Sequence, residues 1–162
     1  ACWRIGEHLY IHGSNGSRMM KVLADGTPAC VTITLLDGLV LARSAFSHSM
    51  NYRSVVIHGN FEQVAEEAKP AALTAFMERI APERAIDARP SNDNELAATT
   101  VLRISLAEAA AKVRNWGPKD KEEDMHRATW AGVIPLETRA GLAQADAANT
   151  QLLPAYLANW QW

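Results

Sequence analysis

Between positions 12 and 18 the chain reads His12-Gly13-Ser14-Asn15-Gly16-Ser17-Arg18, so two glycines, three small polar side chains and an arginine share one short loop. Freed backbone amides, hydroxyls and a guanidinium are what a phosphate group needs, and an arginine in a first helical turn adds a two-pronged clamp. The same residues also make an ordinary capped turn with a surface arginine. Their spacing matches neither the P-loop nor the dinucleotide-binding fingerprint. A second polar concentration, Ser47-His48-Ser49-Met50-Asn51-Tyr52-Arg53-Ser54, lies between two apolar runs. It reads either as a ligand rim or as a solvated loop at a barrel mouth. Within it Arg53 is a second candidate for phosphate. Lys112 and Arg114, two apart on a strand, share a face and can bring positive charge to one site, with surface exposure as the default. Trp130 stands beside Ala131-Gly132, small residues that let a planar ligand approach; the commoner role is a strand-end cap.

Other chemistries find no support. The histidines at 8, 12, 48, 58 and 126 show neither HExxH nor a Cys/His zinc spacing, so no metal site is expected. His58 reads as a packed strand residue. No GxSxG occurs, which leaves nucleophilic hydrolysis without a motif. The run Lys119 to Asp124, KDKEED, reads as a solvated charged loop.

The elements that must position these groups follow from periodicity. Cys2 to Ile5 reads as the end of a strand and HLYIH (8 to 12) as a strand. A short helix opens after Ser17, its N-cap, and stops at Gly26. Residues 29 to 36 and 39 to 46 are β-rich and separated by Asp37-Gly38, the two-residue signature of a hairpin. A polar connection from His48 to Arg53 leads into a long strand, 54 to 64, with Gly59 as a bulge or a point of close approach. Apolar residues at three- and four-residue steps predict a helix over 66 to 80, ended by Pro82. Asn92 with Glu95 resembles a capping box. Strands are expected at 101 to 106, 110 to 113 and 130 to 136, and a weakly helical tail from 137 to 162. Six or more strands in meander order predict a mainly β fold, an antiparallel barrel with peripheral helices.

The chain has 162 residues, 48% of them hydrophobic, with 16 basic and 18 acidic side chains and a formal charge of -2. This composition excludes disorder and makes generic nucleic-acid binding improbable. One domain covering 1 to 162 is expected at this length. Two cysteines cannot build a disulfide framework, and no apolar run is long enough to span a membrane as a helix. A cytoplasmic protein without membrane or nucleic-acid partners is expected.

HLYIHGSNGSR, SAFSHSMNYRSVVIHG and LRISLAEAAAKVR followed by WAGVIPL resemble, in that order, the pyridoxamine 5'-phosphate oxidase-like FMN-binding proteins. The branch nearest in pattern is that of the nitroimidazole-resistance proteins. The resemblance runs from about residue 8 to residue 136. It implies an FMN-binding split β-barrel, a homodimer with two flavin sites at the subunit interface, and chain-specific contacts. His12, Gly13, Ser17 and Arg18, with Ser14 between them, match the loop around the flavin's ribityl phosphate. Arg53 and Ser54 match the polar pair that opens the next long strand, with Tyr52 beside them. Trp130 matches a tryptophan near the flavin, and Lys112 is the further cation expected at the cofactor.

Departures from the family pattern narrow the function. Met19 stands where the oxidase has a lysine, the family's first strands, which supply an arginine and backbone contacts to the flavin, are expected before Ala1, and no residues for a substrate phosphate are found. The implied activity is therefore a flavin-dependent oxidoreductase that reduces a small, nitroaromatic-like acceptor with NAD(P)H or another donor, and not the oxidase itself. The protein's part would be orientation and hydrogen bonding of the ring. Two alternatives stand beside it: a non-catalytic barrel that senses flavin, or haem with His48 as axial ligand, and a barrel that has lost its cofactor.

Overall fold

The computed structural model describes residues 1 to 158 and residue 160. In chain order its strands are β1 (Cys2–Ile5), β2 (His8–Ser14), β3 (Pro28–Leu41), β4 (Ser49–Gln63), β5 (Thr99–Ser105), β6 (Ala109–Arg114) and β7 (Gly132–Pro135). The helices are α1 (Arg18–Ala24), α2 (Lys69–Ile80), α3 (Arg84–Asp87), α4 (Asp93–Ala97) and α5 (Ala155–Ala158). The pairs β1–β2, β2–β5, β3–β7, β4–β5 and β4–β6 are antiparallel, and the fold class is mainly β with peripheral helices. The residues fall into two compact units: unit 1 comprises 1 to 29, 58 to 108 and 139 to 162, and unit 2 comprises 30 to 57 and 109 to 138.

In unit 1, β2 lies between β1 and β5, and β5 also pairs with the last residues of β4. Consecutive Val101 and Leu102 on β5 are both buried, so both faces of this strand are covered, as a central position requires. Trp3, opposite Tyr10 on β2, joins Val64, Ala72 and Val101 in a core over which α2 lays Leu73, Ala75 and Phe76. Each large side chain so buried contributes roughly 1.5–3 kcal/mol. The helix follows a short 3-10 turn, Glu66–Ala68, and Pro70 falls in its first turn, where a missing N–H costs nothing. The capping box at α4 is formed in full: Glu95 N donates to Asn92 Oδ1, and Asn92 N donates to Glu95 Oε2. His58, expected to be packed, is exposed, because the alternation of β4 turns Ile57 inward and its neighbour out. Gly59, with φ 153°, lies against Ile104.

In unit 2, β4 lies between β6 and β3, and β3 carries β7 on its other side. The expected hairpin at Asp37-Gly38 does not form; β3 is one 14-residue strand running through both residues. A side chain at Gly38 would meet Val133 Cγ1 at 3.0 Å and the Ile134 carbonyl at 3.1 Å, so the glycine admits β7 at close range. Asp37 accepts two hydrogen bonds from Arg53 of β4 and caps no turn. The chain reverses later, through the 3-10 turn Ala45–Ser47, and β4 starts at Ser49. Most of the expected connection from His48 to Arg53 is therefore strand. The final strand is shorter than expected, which leaves Trp130 ahead of β7. The tail holds only the four-residue α5 as helix among its described residues.

Candidate functional site

The loop from β2 to α1 is built largely for itself. Ser17 accepts from Met20 N through its side chain, Ser17 N donates to Ser14 O at 2.9 Å, and Gly16 N donates to Ser14 Oγ at 3.1 Å. Asn15 ties the loop to the start of β5, donating to Ala98 O and Ala97 O and accepting from Thr100 Oγ1. Gly13 is dictated by packing, since a Cβ there would sit 2.9 Å from Cγ of buried Met20. What remains outward is Arg18, exposed and without a hydrogen bond or ion pair among the described residues. His12 turns into unit 1, its ring 4.6 Å from Phe76 and 5.5 Å from Trp3. Desolvation by burial pushes its pKa below the usual value. Its Nδ1 and Trp3 Nε1 are buried without a hydrogen-bond partner among the described residues.

In unit 2 the register of β4 with β6 places Tyr52 opposite Arg114 and Ser54 opposite Lys112. These four share one face of the ribbon, as the two-residue spacing predicts. Lys112 Nζ lies over the Tyr52 ring at 5.8 Å, and Arg114 Nη1 donates to Oδ1 of buried Asn51 at 2.6 Å. Arg53 points to the other face, where Asp37 takes both ends of its guanidinium at 2.8 and 2.9 Å. That contact lowers the Asp37 pKa and raises that of Arg53, so Arg53 is committed to a carboxylate and is not a free phosphate donor. Trp130 lies with its ring on Gly132: a Cβ at the glycine would approach the indole to 2.8 Å. The space expected for a planar ligand there is filled by the tryptophan itself.

Sequence reasoning missed a buried acid. Asp120, in the supposedly solvated run, has a side chain 1% exposed. It accepts from Arg43 N at 2.9 Å, Ser44 N at 3.3 Å and Arg43 Nη1 at 3.2 Å. Desolvation raises its pKa, but these donors together outweigh it and leave the pKa lowered. The bond fixes Ser44, whose carbonyl accepts a hydrogen bond from His48 Nδ1 at 2.9 Å. With Nδ1 engaged by this carbonyl, Nε2 is the ring nitrogen of His48 left for another contact. Exposed Phe46 and Met50 flank it in sequence. Trp116 was also passed over, while Asn51 was read only as part of the 47 to 54 stretch and Lys119 only as part of the solvated run, without their contacts to Arg114 and Trp116. Among the described residues no group of three or more His, Cys, Asp or Glu is placed to hold a metal ion, and no helix is long and apolar enough to cross a membrane.

Comparison with known proteins adds an identity to this geometry. A family profile described as pyridoxamine 5'-phosphate oxidase matches residues 1–113. The chain belongs to this family. Its mainly antiparallel seven-stranded fold is that of the family's split barrels. Among solved structures, this oxidase-family protein is similar to the FAD and haem binding protein from Mycobacterium smegmatis: 40% identity, TM-score 0.91, over 97% of this chain and 78% of that one. It is also similar to a flavocytochrome from Azotobacter vinelandii: 38% identity, TM-score 0.90, over 97% and 74%. A putative 5-nitroimidazole antibiotic resistance protein from Bacteroides thetaiotaomicron shares the fold, with 20% identity and TM-score 0.54 over 68% and 63%. No curated protein sequence matches the chain.

Proposed function

We propose that this protein binds a flavin and a haem and works as a homodimeric redox protein that passes electrons to a small acceptor. The observation that carries the reading is the pair of relatives, one named an FAD and haem binding protein and the other a flavocytochrome, each about two fifths identical across 97% of this chain. The residues present suit both groups.

Arg18 is a guanidinium without a partner among the described residues, on the loop that the family resemblance assigns to the flavin phosphate, a group common to FMN and FAD. A bound flavin supplies the hydride and electron chemistry. For the haem, His48 would be the residue that holds the iron. Its Nδ1–H is held by the Ser44 carbonyl, the outer hydrogen bond that orients a ligating imidazole, and Asp120 in turn fixes Ser44. Exposed Phe46 and Met50 beside it supply apolar surface for a macrocycle. A second copy of the chain is the partner proposed for β3, where consecutive Leu35 and Leu36 point to opposite faces and are both about half exposed.

The test is an absorption spectrum of the purified full chain, with identification of what heat releases. Flavin bands together with a Soret band are expected. Arg18→Ala is expected to weaken flavin binding by about 1.5–3 kcal/mol. His48→Ala is expected to remove the Soret band and spare the flavin bands. A colourless protein that takes up neither added flavin nor added haem overturns the reading.

A further inference from the structure

Seven basic residues lie in unit 2. Four of them, Arg43, Arg53, Lys121 and Arg127, are paired with Asp120, Asp37, Glu123 and Asp124. The other three, Lys112, Arg114 and Lys119, have no carboxylate partner among the described residues, and these three gather around two aromatic rings. Lys112 rests over Tyr52, while Arg114 Cζ and Lys119 Nζ lie 5.0 and 5.3 Å from the centre of the Trp116 ring. In a chain of net charge -2, so local an excess of unneutralised cations marks an anion site.

From this juxtaposition we infer that the ridge Tyr52–Lys112–Arg114–Trp116–Lys119 binds the adenosine 5'-diphosphate moiety of a nucleotide. The arrangement separates the tasks such a ligand sets. Trp116, 46% exposed, offers a ring of purine size for stacking. Arg114 is fixed in advance by buried Asn51 and by the Trp116 carbonyl at 3.2 Å, so little freedom is lost when it meets phosphate. Lys112 stands two residues away on the same face, roughly 7 Å along the strand, which spreads positive charge over more than one phosphate. Lys119 is exposed and held by the ring alone, so phosphate can draw it off and leave that ring surface to the base. An open shelf suits an adenine handle, whereas a reacting isoalloxazine ring needs shelter from water. Two sources carry this moiety, a flavin adenine dinucleotide and a nicotinamide adenine dinucleotide, and the assignment stands independently of the Arg18 site.

Calorimetric titration of the full chain with ADP, adenosine, inorganic phosphate, NADH, NADPH, FAD and FMN tests it. ADP is expected to bind more tightly than adenosine or phosphate, and less tightly as salt rises. Lys112→Ala with Lys119→Ala, and separately Trp116→Ala, are expected to weaken ADP roughly tenfold. Lys121→Ala, a neighbouring lysine that has its own carboxylate, is expected to change nothing. The dinucleotide that binds more tightly than ADP and is displaced by it names the source. The assignment is overturned if ADP binds no better than phosphate, if the lysine and tryptophan variants bind ADP as wild type does, or if FMN displaces ADP on equal terms, which would make the ridge a flavin phosphate site. Flavin content read on the same samples separates the two claims: missing colour counts against the proposed function, and lost ADP dependence counts against the ridge.

Discussion

Unit 1 and unit 2 distribute their apolar residues in opposite ways. Among the described residues, ten of the thirteen buried apolar side chains belong to unit 1, including Trp3, Met20, Leu102 and Ile104, and only Val40, Ala42 and Ile57 belong to unit 2. Of the eighteen large apolar side chains left exposed among the described residues, ten are in unit 2, among them Leu35, Leu36, Phe46, Val113 and Trp130. A sheet with a helix laid over it closes its own core, and unit 1 has α2 for that purpose. Among its described residues unit 2 has no helix beyond single 3-10 turns, so its strands keep apolar and cationic side chains at the surface. The contrast separates two tasks: unit 1 encloses most of the buried apolar side chains, and unit 2 keeps apolar and cationic ones exposed.

The strongest way to break that contrast is a pair of truncations. Leu102 is 0% exposed at the centre of unit 1, so Leu102→Ala is expected to cost about 2–5 kcal/mol in a urea melt. Leu36→Ala is expected to stay within about 0.5 kcal/mol at a dilution that separates the copies, while weakening self-association measured by sedimentation. Equal costs in the dilute chain would mean that unit 2 has a core of its own at β3.

A smaller effect sharpens the role of the β2–α1 loop. Gly13→Ala pushes a methyl to 2.9 Å from Met20 Cγ and 3.2 Å from its Sδ, and the enclosed methionine must shift. Overpacking of this kind costs about 1–3 kcal/mol. The loss is expected in thermal unfolding whether or not flavin is present, because the glycine serves helix packing. A variant as stable as wild type that no longer holds flavin would instead give Gly13 to the cofactor.

This loop also shows how far types and spacing carry an argument. The Ser17 cap, the Asn92–Glu95 capping box and the amphipathic α2 were legible because their signals are local. Asp37-Gly38 was misread because the same dipeptide serves two ends: here the glycine makes room for β7, which lies almost a hundred residues further on in the chain, and the aspartate binds Arg53 of the neighbouring strand. Asp120 was misread for the same reason, since nothing in KDKEED says which acid will be enclosed by the amides of residues 43 and 44. Lys112 and Arg114 were rightly put on one face by period-two reasoning. That their face also holds Tyr52 and Ser54 is a matter of register, which composition does not encode.

The smallest effect separates how the two units use their charges. In unit 1, Glu95 accepts from both ends of Arg89, at 2.7 and 3.0 Å, and from Asn92 N at 2.8 Å. The Arg89 contact first, and the Asn92 amide second, hold its pKa down to about 2 from the ordinary 4.5. A carboxyl whose folded pKa lies below its unfolded one stabilises the fold fully above the unfolded value, and that contribution disappears as pH falls through the folded one. The window therefore runs from about 4.5 down to about 2. Glu95→Gln keeps the size of the side chain and removes the charge, so the gap in urea midpoint between variant and wild type is expected to be constant above about pH 5 and to close toward pH 2. Lys112→Ala in unit 2 has no carboxylate to lose and is expected to show no gap anywhere in that range. A gap for Lys112→Ala that tracks pH would mean that the ridge has an acidic partner after all, and it would move the unneutralised charge of unit 2 back among the structural pairs.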